Sequence, residues 1–117
     1  MIIPLKSNSK KKIVVTGCAG FIGSHLVDKL LSDKQEVVGI DNLSTGQKKF
    51  LTNALKNKKF KFINGDLLNL SLLKKKLINV DLVYHLAANA DVQSGLKHPK
   101  KDLEQNVLCT FNILEAM

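Results

Sequence analysis

The stretch "KIVVTGCAGFIGSHLVDKLL", residues 12–31, changes character twice. Ile13, Val14 and Val15 form a short β-branched run ending at Thr16 and Gly17, the pattern of a strand buried on both faces. From Gly20 to Ser32 the apolar positions Ile22, Leu26 and Leu30, flanked by Phe21, Val27 and Leu31, recur at helical spacing. Between the two segments lie Gly17, Gly20 and Gly23, three residues apart. Glycine costs conformational entropy in any regular element, so three at a fixed interval mark a place where side chains would be in the way. The stretch reads as strand, glycine turn, helix.

That unit repeats along the chain. "EVVGID" (36–41) is a second strand, "NLSTGQ" a turn and "KKFLTNALKN" (48–57) a short helix. "KFKFING" (59–65) is a third strand, followed by "NLSLLKKKLINV" (69–80) as helix. "DLVYHLAA" (81–88) makes a fourth strand, and Pro99 opens a long helix, a position where its fixed φ suits the first turn. Leu103, Val107, Thr110, Phe111, Leu114 and Met117 lie along one stripe of that helix, which we assign to packing on its own sheet. Strands alternating with helices predict an α/β fold, a Rossmann-like doubly wound parallel sheet of order 3-2-1-4. It would occupy residues 11–117 after a flexible, polar lead-in over 1–10, and it would leave the fourth strand as an open edge.

Composition narrows the function classes. The chain has 117 residues, enough for one domain or part of one, with 44% hydrophobic and 24% charged residues. No apolar run reaches membrane-span length, and "MIIPLKSNSKKK" is too short and too broken by Pro4 for a secretory signal, so the expected compartment is the cytoplasm. The formal charge of +8 is all lysine, with no arginine and few aromatics. That argues against nucleic-acid recognition, which relies on Arg forks and stacking rings. Cys18 and Cys109 form neither a CxxC pair nor a Cys/His cluster, so no metal site or disulfide framework is expected.

The glycine turn has a chemical reading. The first turn of a helix that follows a strand presents unpaired N–H groups and a positive dipole end, a ready site for a pyrophosphate. Gly17 would permit the sharp turn, Gly20 close approach of phosphate, and Gly23 close packing of helix on strand. Asp41 ends the second strand 18 residues after Gly23, where a carboxylate can accept from both hydroxyls of an adenosine ribose and repel a 2′-phosphate. The spacing therefore points to NAD rather than NADP; the bland alternative is that Asp41 only starts the turn at Asn42.

These segments, with "TGCAGFIGSHL", "DNLSTG", "GDLLN", "HLAANADV" and "DLEQNVLCTFNILEAM" in this order, resemble the extended short-chain dehydrogenase/reductases. Within them the resemblance is to the NAD-dependent nucleotide-sugar epimerases and dehydratases, nearest the UDP-glucose 4-epimerases. It covers residues 11–117. It implies that Gly17, Gly20, Phe21 and Ile22 surround the pyrophosphate, and that Asp41, Asn42, Leu43, Ser44, Thr45 and Gly46 hold the ribose. It further implies that Asp66 and Leu67 flank adenine, that Leu86, Ala87, Ala88 and Asn89 line the path toward nicotinamide, and that Asn106 faces the cofactor. Each has a plainer alternative: Asp66 as a turn cap, Ala87 and Ala88 as packing residues, Asn106 as a solvated one.

The resemblance also implies a reaction, transient oxidation and reduction of a nucleotide sugar at C4. Its proton is handled by a tyrosine and a lysine four residues later, beyond the fourth helix. Tyr84 is the sole tyrosine and Ala88 stands four residues after it, so no catalytic residue is assigned within the 117. The chain is expected to be the NAD-binding N-terminal portion of such an enzyme, or alternatively a noncatalytic nucleotide-binding module; by itself it should catalyse nothing by that route. A homodimer through a bundle containing the 100–117 helix is a further implication for the intact enzyme. Cys18 reads as a small filler in the phosphate turn, His25 and His98 as surface or packing residues, and His85 as shaping the fourth strand.

Overall fold

The computed structural model describes residues 10–117, so the lead-in expected over 1–10 lies, Lys10 apart, outside the described residues. Four strands, β1 (Lys12–Thr16), β2 (Glu36–Asp41), β3 (Phe60–Asn64) and β4 (Leu82–His85), form one parallel sheet of order β3-β2-β1-β4. Helix α1 (Phe21–Ser32) returns the chain from β1 to β2, and α2 (Leu70–Lys76) from β3 to β4. The expected doubly wound order is thus present, with β1 and β2 interior.

Alternation along β1 sets the two layers. Ile13 and Val15 point to one face, with Val37, Val27, Leu30 and Leu31; Val14 points to the other, with Val38, Ile40, Leu73, Cys109 and Ile113. A strand with both faces covered has no polar side to show, which is why it reads as a continuous apolar run. Thr16 is the exception, fully buried at the tip of β1.

Three elements depart from the sequence reading. Residues 48–57 form two 3₁₀ turns, Lys48–Leu51 and Ala54–Lys56, rather than one helix. Only Leu51 and Ala54 there are buried, too few apolar anchors to seat a full helix on the sheet. A short helix α3 (Val92–Lys97), capped by Asp91 Oδ1 accepting from Ser94 N–H at 3.0 Å, lies between β4 and the long helix, where the sequence pattern predicts no element. The long helix begins at Pro99 as expected but runs through α4 (Pro99–Asp102), a π-helical segment Leu103–Leu108, and α5 (Cys109–Ala116).

The stripe on that helix is a correction. Leu103, Val107, Phe111, Leu114 and Met117 are all more than half exposed, Thr110 turns to His85, and the sheet-facing side is made instead by Cys109, Ile113 and Ala116. The apolar stripe is continuous, but the long helix meets the sheet with its opposite face, which leaves the stripe to solvent.

Candidate functional site

A groove of about 400 Å³ opens at the carboxyl ends of the strands. Its position follows from the topology: β1 and β4 are neighbours whose connections leave toward opposite faces, and the crevice between such connections lies above the strand tips. Gly17, at φ +69°, turns the chain at the tip of β1, a conformation that an L side chain rarely adopts. A Cβ there would also stand 2.8 Å from Ala87 N. Gly20 caps α1 in extended conformation without any side-chain hydrogen bond. A Cβ on Gly20 would meet only Gly17 O, at 3.3 Å, and otherwise open space, whereas one on Gly23 would overlap the Gly17 carbonyl oxygen. The three glycines therefore do three jobs: the turn, an uncovered backbone, and a close helix-to-turn contact.

The ribose-loop candidate is stitched to this turn. Gly17 N–H donates to Ile40 O at 2.9 Å, and Gln47 N–H donates to Ala19 O at 2.9 Å. Asp41 accepts from Ala19 N–H through Oδ2 at 2.9 Å and from Leu43 N–H through Oδ1 at 2.8 Å. It thus performs the turn role weighed from sequence while also lining the groove. Leu43 sits at φ +59°, a rare conformation for so large an apolar side chain, and its side chain packs into the α1-side core.

The groove's lining gathers Gly17, Gly20, Phe21, Ile22, Gly23, Asp41, Asn42, Ser44, Thr45, Gly46, Leu67, Leu86, Ala87 and Ala88 from the sequence expectations. Phe21 and Ile22 are 73% and 69% exposed, so the first turn of α1 offers apolar surface to the groove and not to the core. The remaining candidates lie outside the lining. Leu43 points inward. Asp66 accepts from Leu68 N–H at 2.9 Å on the rim, between the lining residues Gly65 and Leu67. Asn106 accepts from Asn89 N–H at 2.7 Å through Oδ1, so these two brace each other.

Ile40, Gly65, Ala90 and Gln105 line the groove without having been singled out. Gly65 lies inside "GDLLN" and Ala90 inside "HLAANADV". Gln105 lies inside the quoted segment 102–117, and its aim depends on the π segment that carries it.

Thr16, just before the glycine turn, is a hydrogen-bond hub. Its Oγ1 accepts from Leu86 N–H at 3.1 Å and Ala87 N–H at 3.2 Å, and it lies 2.7 Å from His85 Nδ1. Burial holds the His85 pKa below its ordinary value. Burial, and then the charge of Asp41, push the Cys18 thiol up to about 12; Cys18 is fully buried under Gly39, whose missing side chain makes room for its Sγ. It is the filler expected. Among the described residues no group of His, Cys, Asp and Glu assembles as a metal site, and no helix is long and apolar enough to cross a membrane.

Comparison with known proteins agrees with this architecture. The chain is 43% identical over 106 residues to a putative UDP-glucose 4-epimerase of Methanocaldococcus jannaschii, covering 90% of this chain and 33% of that protein. It is 42% identical over 113 residues to UDP-glucuronic acid decarboxylase 1 of Arabidopsis thaliana, covering 96% of this chain and 25% of that one. The crystal structure of a Bacillus cereus UDP-glucuronic acid 4-epimerase, in complex with UDP-glucuronic acid and NAD, superimposes with a TM-score of 0.83 at 39% identity, over 90% of this chain and 35% of that one. The chain thus spans between a quarter and about a third of the length of these proteins. Residues 13–117 match the profile of the NAD dependent epimerase/dehydratase family, and the chain belongs to that family.

Proposed function

We propose that residues 11–117 form the NAD-holding part of an enzyme that isomerises or dehydrates a nucleotide sugar. The observation that carries this reading is the backbone cradle: a glycine turn whose uncovered Gly20 opens onto a groove that also holds the Asp41 carboxylate. The residues fit the group. Side-chain-free backbone at the start of α1 suits a pyrophosphate, and Asp41, with one N–H on each oxygen, keeps lone pairs for ribose hydroxyls. Phe21, Ile22, Leu86 and the alanines at 87 and 88 supply the apolar walls that such sites use. Asp66, on the rim, would take the exocyclic amine of adenine.

When bound, NAD supplies a hydride acceptor and donor for the sugar carbon. The chain's own part is to bind and orient it: the Asp41 charge selects against a 2′-phosphate, and the alanines leave the path along β4 open. Proton transfer needs a group outside this set, because Tyr84 lies in β4 with its ring in the α1-side core. The relatives named for epimerase and decarboxylase reactions share a quarter to a third of their length with the chain. The reading accordingly extends to the nucleotide-sugar class, with UDP-glucose 4-epimerisation foremost, and not to one sugar. The exposed stripe Leu103, Val107, Phe111 and Leu114 would serve as a homodimer contact in the intact enzyme.

The test is titration of the 117-residue chain with NAD and with NADP, followed by an assay of UDP-glucose conversion. Saturable binding of NAD, weaker binding of NADP, and no turnover are expected. Equal affinity for the two, or none for either, would overturn the cofactor reading; sustained conversion would overturn the assignment of proton transfer elsewhere.

A further inference from the structure

One side-chain network reaches the groove from behind without lining it. Thr16 Oγ1 accepts from two backbone N–H groups, so both of its lone pairs are used and its own proton is directed to His85 Nδ1, 2.7 Å away. The ring must then be an acceptor at Nδ1, and in the neutral form its proton sits on Nε2, which faces Thr110 Oγ1 at 3.0 Å. The Thr110 hydroxyl in turn donates to Asn106 O at 2.7 Å. Every donor in this sequence has one acceptor, and only one tautomer satisfies it.

The network ends where it can matter. Asn106 Oδ1 accepts from Asn89 N–H, and Asn89 Nδ2 donates to Asp102 Oδ1, both at 2.7 Å. Residues 86–90, which run along the groove, are thereby pinned at one end by Thr16 and at the other by Asn106, with the His85 ring spanning the two anchors. Gln105, in the π segment beside Asn106, points into the groove. We infer that His85, fixed as the neutral Nε2–H tautomer, is a positioning residue that sets the Gln105–Asn106 wall of the groove relative to the glycine turn. The consequence for cofactor affinity rests on the NAD reading above; the tautomer and the geometry do not. Burial alone lowers the ring's pKa, in keeping with a site that holds the ring neutral. The side chains bonded to the ring, Thr16 from β1 and Thr110 from α5, do not titrate.

Long-range ¹H–¹⁵N correlation on the imidazoles of the 117-residue chain at pH 7.5 reads the tautomer directly. A single Nε2–H form at His85 is expected; an Nδ1–H form, or averaging of the two, overturns the inference. Thr110→Val removes the acceptor of the Nε2 proton at a half-buried site; Thr16 still fixes the tautomer from Nδ1, so the Nε2–H form should stay while NAD affinity falls about fivefold and Thr110→Ser restores it. Wild-type NAD affinity in Thr110→Val, or an Nδ1–H tautomer, would overturn it. His85→Asn keeps an acceptor for Thr16 and loses the reach to Thr110. The amide resonances of Asn89, Gln105 and Asn106 should therefore move while that of Gly17 stays. If the wild type takes no NAD, the functional reading fails and these shifts decide the inference by themselves: unmoved resonances at Asn89, Gln105 and Asn106 refute it.

Discussion

Alanine at position 23 should damage the fold, and alanine at position 20 only the site. A Cβ on Gly23 overlaps Gly17 O and stands 2.9 Å from Gly17 C and 3.0 Å from Cys18 Cα, all backbone atoms that no rotamer change can move. Helix α1 would have to back away from the turn by roughly 1 Å, enough to forfeit a quarter to a half of the dispersion contact along its seam. That seam holds Val27, Leu30 and Leu31, all buried. Alanine gains about 1 kcal/mol of helix propensity over glycine. Overpacking against a rigid neighbour costs about 3 kcal/mol, the upper end of the usual range. The steric effect wins, leaving a net loss of about 2 kcal/mol, which lowers the melting temperature of a domain this size by roughly 10 °C. Gly20 has an ordinary extended backbone, φ −81° and ψ 174°, and a Cβ there meets only Gly17 O at 3.3 Å. Gly20→Ala should stay within about 0.5 kcal/mol of wild type, as substitutions clear of the core do, while weakening NAD binding. Thermal unfolding by circular dichroism and NAD titration of both variants separate the two roles. A Gly23→Ala protein that melts with the wild type would refute the packing argument, and a Gly20→Ala protein that binds NAD normally would refute the cradle.

Asp41→Asn removes the charge and one of the two acceptor oxygens that hold Ala19 and Leu43 N–H, so it should cost about 1–3 kcal/mol by urea denaturation. It should also narrow the gap between NAD and NADP affinity; an unchanged ratio would remove Asp41 from the ribose role. His85 has a folded pKa below the ordinary 6.5, so the unfolded chain binds the proton more readily. Its stabilising contribution is complete above pH 6.5 and declines as pH falls toward the folded value, and His85→Asn should flatten that part of a stability-against-pH curve. Cys18 and Cys109, with thiols pushed up to about 12 and about 11 and both buried, should resist Ellman's reagent at pH 8 until urea unfolds the chain. Phe111→Ser should change stability by no more than about 0.5 kcal/mol, because its ring is exposed; a loss of about 3 kcal/mol would return the stripe to the core.

The sheet was legible because parallel strands are buried on both faces and advertise themselves. Ile13 to Val15 and Val37 to Ile40 carry no competing polar pattern, and each is followed at once by its turn. The glycine turn was legible for a related reason: its requirement is the absence of side chains, and absence shows in a sequence. What failed were the segments whose geometry depends on tertiary seating. Residues 48–57 have helix-like composition, but only Leu51 and Ala54 reach the core, so the chain settles into 3₁₀ turns. Residues 92–97 contain Gly95 and no long apolar stripe, and their helix is fixed by the Asp91 cap.

The stripe and Gln105 depend on different features of the long helix. Helical spacing from Leu103 sets Val107, Thr110, Phe111, Leu114 and Met117 on one stripe, and its apolar members do share a face, the exposed one. Spacing groups residues by face but does not say which face the sheet covers. The buried side becomes Cys109, Ile113 and Ala116, Asn112 Nδ2 reaches across to Leu67 O at 2.9 Å, and Thr110 comes round to His85. A regular α-helix through 103–108 would not set Thr110 on the ring and Gln105 on the groove in the same way. The wider turn is therefore what joins the sheet-facing half of the helix to the cofactor-facing half. Its cost in helix regularity is met by side-chain hydrogen bonds, Thr110 to Asn106 O and Asn106 to Asn89, at the place where the groove has to be held.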